Sequence, residues 1–242
     1  MEIVFFILAL VSEIIGTIGG FGSSVFFVPL AAMFFPPKTV LGLTALFHVF
    51  SNLSKLYLFR EHINLSLLSR FGLPSIIGVI VGAFLSVFFV ATSGTLILGF
   101  FLLLFAVLFL LKPSLQIAPT RTNAIAGGSA AGFFAGLIGT GGALRGAIMA
   151  SYNLEKQVFV ATSAAVDMGV DLTRSAIYVG NDYVSLNDAW YIPGLIAVSF
   201  VGSLIGKYVL NFISQEVFRK FVLVLIGIIG IVSIVHYLYF VK

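Results

Sequence analysis

The sequence predicts an all-α polytopic membrane protein built as an inverted repeat, each half a glycine-broken helical hairpin plus three transmembrane helices. Three observations predict it. The 242 residues are 60% hydrophobic and 9% charged, with a mean hydropathy of +1.16, which leaves too little polar surface for a water-soluble globule. Several apolar stretches approach the ~20 residues that span a bilayer. A glycine-interrupted apolar segment, Gly16-Thr-Ile-Gly-Gly-Phe-Gly22, recurs half a chain later as Gly136-Leu-Ile-Gly-Thr-Gly-Gly142. Paired breaks in corresponding halves point to a transporter's binding site.

The first broken region covers about residues 2 to 34. At ~1.5 Å per residue it is too long for one helix, while each arm is short for a comfortable crossing, so a helix-break-helix hairpin is expected. Its returning arm begins near Ser23. Glu2 stands where a signal peptide would be positively charged, so the run is expected to stay in the fold. Full spans follow at about 40 to 60, 66 to 90 and 95 to 111. The second hairpin covers about 123 to 152, returning near Ala143, and spans follow at about 157 to 179, 189 to 212 and 217 to 241. The repeats are residues 1–117 and 118–242, within one integral membrane domain.

Loop charges orient this arrangement. If both hairpins return to their own side, Arg60, Arg70, Lys112, Arg121, Lys156, Lys207, Arg219 and Lys220 share one side and only Lys38 and Lys242 the other. Single crossings would divide the same residues evenly. The positive-inside rule favours returning hairpins, with both termini outside and the loops after residues 60 and 111 in the cytoplasm. Three crossings per half turn the second half upside down. The net charge of +4 then reflects ordinary loop lysines and arginines, and no nucleic-acid partner is expected.

Inversion brings both breaks toward the bilayer midplane, where irregular backbone is tolerated only when buried in protein or lining a cavity. Two helix N-termini would face one central point, and their exposed N-H groups favour an anion. The expected substrate-binding backbone is Gly19, Gly20, Gly22, Ser23 and Ser24 on one side, and Gly139, Thr140, Gly141 and Gly142 on the other. The alternative is a set of small residues packing helices together. Thr17 has a well-placed hydroxyl too, though Ser and Thr also cap helices.

A displacement of 119 residues places Thr44 on Ser163, His48 on Asp167, Asn52 on Asp171, Lys55 on Arg174 and Pro74 on Pro193, and the hairpins align at 120. The spacing i, i+4, i+8, i+11 keeps the polar pairs on one helical face. Each charge near midplane costs at least ~2.5 kcal/mol, so these side chains are expected to face a cavity or a partner. His48, Asn52 and Arg174 join the substrate-binding candidates; Asp167 and Asp171 are candidates for carrying a coupling ion. Asp171 and Arg174 can instead pair along one helix, and His48 can be a satisfied core histidine. Asp167 has no evident local partner. Lys55, toward the cytoplasmic end, is expected to snorkel. Arg145, in the first turn after the second break, would either bind an oxyanion bidentately or brace its hairpin to Asp167 or Asp171.

The remaining polar residues carry less. Asn181, Asp182, Asn187 and Asp188 read as a solvated external loop, and Lys38, Glu155 and Lys156 as loop charges. Trp190, Tyr191, Tyr237 and Tyr239 fit aromatic anchors at span ends. The chain has no cysteine, no metal-ligand set and no nucleotide-binding loop, so no cofactor is expected.

These residues resemble the sulfite exporter TauE/SafE family, also called the four-toluene sulfonate uptake family. The resemblance rests on Gly19-Gly-Phe-Gly22 followed by Val28-Pro29, on Gly139-Thr-Gly-Gly142, and on Ala161-Thr162-Ser163 opening the next span. It implies a bacterial inner-membrane transporter, often an exporter, of sulfite, thiosulfate or organosulfonates. The second half departs from the pattern: Ala143-Leu-Arg-Gly-Ala147 stands where the first half leads to Val-Pro.

The expected mechanism is alternating access, with hairpin tips holding the anion near midplane. An interior-negative potential of 100 mV supplies ~2.3 kcal/mol per charge, enough to drive export of a monovalent anion, whereas uptake would need a proton or sodium partner. An anion channel, or a proton- or sodium-coupled carrier of another small organic anion, stays open. Cation transport stays open as well, if Asp167 and Asp171 outweigh Arg145 and Arg174. An intramembrane hydrolase using Ser23 or Ser24 with His48 would need nucleophile and base in hydrogen-bond reach, and no Gly-x-Ser-x-Gly surrounds either serine.

Overall fold

A computed structural model describes residues 2–31, 33–85, 91–138, 141–185 and 188–240, and every regular element among them is helical. Gly139 and Thr140 of the second break lie outside the described residues, as do Asn187, Lys242 and the side chains of Pro29, Lys38 and Tyr239.

The first half contains α1 (Glu2–Gly19), α2 (Ser24–Ala31), α3 (Pro37–Leu58), a short α4 (Leu65–Leu67), α5 (Leu73–Leu85) and α6 (Ala91–Leu111). A 3-10 turn, Arg60–His62, precedes α4, and a π-helical stretch, Leu68–Gly72, joins α4 to α5. The second half contains α7 (Arg121–Ile138), α8 (Gly141–Ser151), α9 (Lys156–Gly180), α10 (Tyr191–Phe212) and α11 (Gln215–Phe240). α1 ends at Gly19 and α7 at Ile138, and α2 and α8 start within two residues of the positions expected for the returning arms.

Among the described residues, four helical stretches are long and apolar enough to cross a membrane: Glu2–Gly19, Leu65–Gly82, Tyr191–Phe212 and Gln215–Val235. The expected shortness of the hairpin arms therefore holds for the 8-residue α2, whereas the 18-residue α1 reaches spanning length. α3 and α9 are longer still, but their polar stripe dilutes their hydropathy.

The broadest packing joins α5 to α7, α1 to α10, α6 to α11 and α3 to α9. With α1 matched to α7 and α5 to α10, the first two pairs are one contact made twice, and the other two each join a helix to its own counterpart. Single residues repeat the pattern. A Cβ on Gly202 would lie 2.7 Å from Glu13 Cγ, and Gly82 presses in the same way on Phe133, each member 120 residues from its equivalent.

Both hairpins close on themselves at their open ends. Phe5, near the start of α1, packs against Phe34 and Phe35 beyond α2, with ring centroids 5.7 and 5.2 Å apart. In the second half Tyr152, after α8, donates its hydroxyl to the Asn123 carbonyl at 2.9 Å. Burial pushes that phenol up to about 12, so it remains a donor at neutral pH. Trp190 and Tyr191 join the Phe5 cluster.

The basic loops are tied together away from that cluster. Lys207 donates to Leu58 O, Arg219 to Pro113 O and Leu115 O, and Lys156 to Leu210 O and Ile213 O. Lys156 thus satisfies carbonyls at the end of α10 and is more than a loose loop charge.

Exposure is inverted relative to a soluble protein. Ile77, Phe84, Leu104, Leu111, Tyr208 and Phe212 stand on the outer surface, while Glu13, Lys55, Arg145, Asp167 and Asp171 are buried. This is the distribution that a hydrocarbon solvent selects.

Candidate functional site at the hairpin tips

The first break is set by backbone geometry. Gly20 N donates to Gly16 O at 2.9 Å as α1 ends, and Gly20 and Gly22 take φ of +71° and +95°. Such values favour glycine. The chain turns through them, and Ser23 O accepts from Phe26 N and Phe27 N to start α2. The tip then meets the second hairpin, since a Cβ on Gly142 would lie 2.7 Å from Phe21 O.

Between the tips lies a cavity of about 30 Å³, room for roughly two waters. Its wall includes Phe21 and Ser24 from the first tip, Gly142 and Arg145 from the second, and His48, Asp167, Asp171 and Arg174. The first turns of both α2 and α8 thus border one space. Gly19, Gly20 and Ser23 stand behind the wall. Asn52 reaches the site through Asp171, to whose Oδ2 it donates at 2.9 Å. The polar stripes of α3 and α9 face each other, with Thr44, His48, Asn52, Lys55, Ser163, Asp167 and Asp171 all buried.

Each nitrogen of the Arg145 guanidinium has a partner. Its Nη1 pairs with Asp167 Oδ1, its Nε donates to Ser163 Oγ at 2.9 Å, and its Nη2 donates to Phe21 O at 3.1 Å. It ties the second hairpin both to α9 and to the first hairpin's tip, and it supplies the partner that Asp167 lacks in the sequence reading. Arg174 is held more loosely. Its Nη1 stands 3.6 Å from Asp171 Oδ1, its guanidinium lies 5.7 Å from the Tyr178 ring centroid, and its buried Nε has no hydrogen-bond partner.

Glu13 is the centre of a second network that the sequence reading passes over. Its side chain is completely buried. Oε1 accepts from Thr17 at 3.1 Å, Ser51 at 2.7 Å and Ser203 at 2.9 Å, and Oε2 accepts from Ser23 at 2.9 Å. Lys55 Nζ completes the set at 2.9 Å from Oε1 and donates to Ser51 Oγ at 2.6 Å. The expected snorkelling of Lys55 is therefore corrected: only 3% of the residue is exposed, because a buried carboxylate holds it inward.

His48 joins the two networks. Its Nε2 lies 3.2 Å from Ser23 Oγ and its Nδ1 3.6 Å from Asp171 Oδ2. Serine, histidine and aspartate thus stand in the order of a hydrolytic triad, yet the Ser23 hydroxyl donates to Glu13 and has no exposed surface. Ser24, which borders the cavity, stands outside that sequence of contacts. Among the described residues, no group of three or more His, Asp or Glu side chains could hold a metal ion.

No curated protein and no solved structure matches the chain. The profile of the family described as Sulfite exporter TauE/SafE matches residues 4–233, nearly the whole sequence and both hairpins. On that match the chain belongs to the sulfite exporter TauE/SafE family of membrane transporters.

Proposed function

We propose that the protein is an alternating-access carrier, acting as an exporter, for small sulfur-containing anions such as sulfite, thiosulfate or organosulfonates, which bind in the cavity between the hairpin tips. The family assignment supports sulfur-anion transport. The observation that carries the site is Arg174, a cavity-lining guanidinium with an unpartnered Nε and a long ion pair. A buried donor without a partner costs about 1–3 kcal/mol, and an oxyanion would supply what it lacks. The starts of α2 and α8 add backbone N-H groups and dipole ends at the same wall. Arg145 acts as the brace that sets the distance between the tips.

The exchanged helix contacts and the repeated Gly202–Glu13 and Gly82–Phe133 pairs support two structurally equivalent halves. Hairpins that close at opposite ends, beside Phe5 and beside Tyr152, support inversion, with both breaks at midplane. The basic loops then face the cytoplasm of a bacterial inner membrane and both termini face outward. A cavity with room for only about two waters must widen to admit an oxyanion, and rocking one repeat against the other would do this.

Counterflow tests the carrier reading. Liposomes holding purified protein and unlabelled sulfite should transiently accumulate labelled sulfite above equilibrium, because an obligatory return of the loaded site couples efflux to influx. A channel would only equilibrate the label, and that outcome would overturn alternating access. Asp167 and Asp171 both line the cavity, and of the two Asp171, beside His48, is the better placed to guide a coupling proton from the cavity to the histidine.

A further inference from the structure

The charges of the two networks balance once the half-buried Arg174 is counted with the five buried groups. Glu13, Asp167 and Asp171 face Lys55, Arg145 and Arg174 within a set of contacts no longer than 3.6 Å. A monovalent anion entering the cavity would leave this interior one negative charge in excess. Uncompensated charge in low dielectric costs several kcal/mol, so a positive charge must enter with the anion or an existing carboxylate must be neutralised.

The structure contains a path for that neutralisation. His48 and Asp171 border the cavity, whereas Ser23 and Glu13 have no exposed surface. The four form a chain: Asp171 Oδ2 to His48 Nδ1 at 3.6 Å, His48 Nε2 to Ser23 Oγ at 3.2 Å, and Ser23 Oγ to Glu13 Oε2 at 2.9 Å. The donors order it. Because the Ser23 hydroxyl donates to Glu13, it accepts from His48, so Nε2 carries a hydrogen. His48 is then neutral, and its Nδ1, 3.6 Å from Asp171 Oδ2 on the cavity side, is the basic nitrogen that can take up a proton.

We propose, building on the anion-carrier reading, that the protein moves a proton with its anion and that Glu13 binds this proton, delivered from the cavity through His48 and Ser23. A proton entering from the cavity adds to His48 Nδ1 and forms the imidazolium. Nε2 then releases its proton to Ser23 Oγ as the Ser23 hydroxyl proton passes to Glu13 Oε2. His48 is left neutral with its hydrogen on Nδ1, Ser23 remains a hydroxyl, and Glu13 becomes a neutral acid. One proton has moved and no other bond has changed.

The groups facing Glu13 make the transfer consequential. Lys55 and Ser51 approach from α3, Ser203 from α10, and Thr17 from its own helix. Asp171 and Ser23 face His48, with Arg145, Asp167 and Arg174 on the same cavity wall. Neutralising Glu13 releases Lys55 as an unbalanced cation, which offsets the charge of the bound anion. Anion and proton therefore each favour the binding of the other. A monovalent anion would cross electroneutrally, while a divalent one would carry one net negative charge and be driven outward by an interior-negative potential.

The test uses full-length protein in liposomes, reading proton movement with a trapped pH dye and labelled thiosulfate in the same vesicles. Wild type should move a proton with each anion, and Ser23→Ala should lower proton flux about a hundredfold, the loss typical of one positioned proton-transfer group. Wild-type proton flux in Ser23→Ala overturns the relay. Infrared difference spectra on acidification give an arm independent of transport. Wild type should gain the carbonyl band of a protonated carboxylic acid, and the charge-neutral pair Glu13→Gln with Lys55→Met should lack it. A band unaltered in that double variant overturns Glu13 as the proton site. Absence of thiosulfate exchange, with the Glu13 band intact and its appearance slowed in Ser23→Ala, supports the proton site while refuting the anion reading on which the coupling rests.

Discussion

Asn52 donates its side-chain amide to Asp171 Oδ2 at 2.9 Å, and the two residues are 119 positions apart, the register at which α3 and α9 repeat. The hydrogen bond ties α3 to α9 at the edge of the cavity, with a neutral amide on one side and a carboxylate on the other.

Asn52→Ala should remove a donor from a buried carboxylate and destabilise the protein by about 1–3 kcal/mol. Asn52→Asp should be worse, because it sets two buried carboxylates against each other. Thermal unfolding in detergent, followed for both variants, checks the order.

Lys55→Met should cost about 3–5 kcal/mol, the range for a buried charge that loses its partner. Adding Glu13→Gln should recover most of the loss, since the neutral side chain keeps its acceptor for Ser51, Thr17 or Ser203. Folded yield and unfolding midpoints of the single and double variants measure this coupling.

Gly142→Ala places a methyl 2.7 Å from Phe21 O and should cost about 1–3 kcal/mol through overpacking, with loss of transport as the tips are forced apart. Gly180→Ala, with nothing within 4 Å of its Cβ, should be neutral or stabilising by up to about 1 kcal/mol. The two variants compared in one stability and flux assay separate tip contact from helix propensity.

Arg145→Lys keeps the charge beside Asp167 but loses the fork that reaches Ser163 and Phe21 O together. Transport rate should fall strongly with a smaller change in apparent substrate affinity, because the side chain lines the cavity while its nitrogens are spent on holding the tips together. A kinetic series separating maximal rate from half-saturation decides it.

The first glycine break, the apolar stretches Leu65–Gly82, Tyr191–Phe212 and Gln215–Val235, and the polar stripes of α3 and α9 were legible in the sequence because each follows from a short-range rule: glycine at a turn, apolar length, and helical periodicity. Arg145 was legible only as a choice between ligand and brace; the brace partner Asp167 was nameable from sequence, whereas its contacts with Ser163 and Phe21 O depend on how the hairpins pack. Glu13 was missed for a physical reason. The comparison of halves highlights polar residues matched by polar residues, and Glu13 falls opposite Phe133, so the asymmetry hid it. The insertion cost of a carboxylate within an 18-residue apolar helix was the signal that could have found it. The inward turn of Lys55 followed from that same residue.

The most direct test of the central claim is the affinity of exchange for labelled sulfite in liposomes, wild type against Arg174→Gln. The account predicts saturable exchange, competed by thiosulfate more strongly than by chloride. It also predicts a half-saturation concentration raised at least about tenfold in the variant, roughly 1.4 kcal/mol of lost binding. Folded Arg174→Gln protein that exchanges sulfite with wild-type half-saturation would contradict the placement of the anion in this cavity.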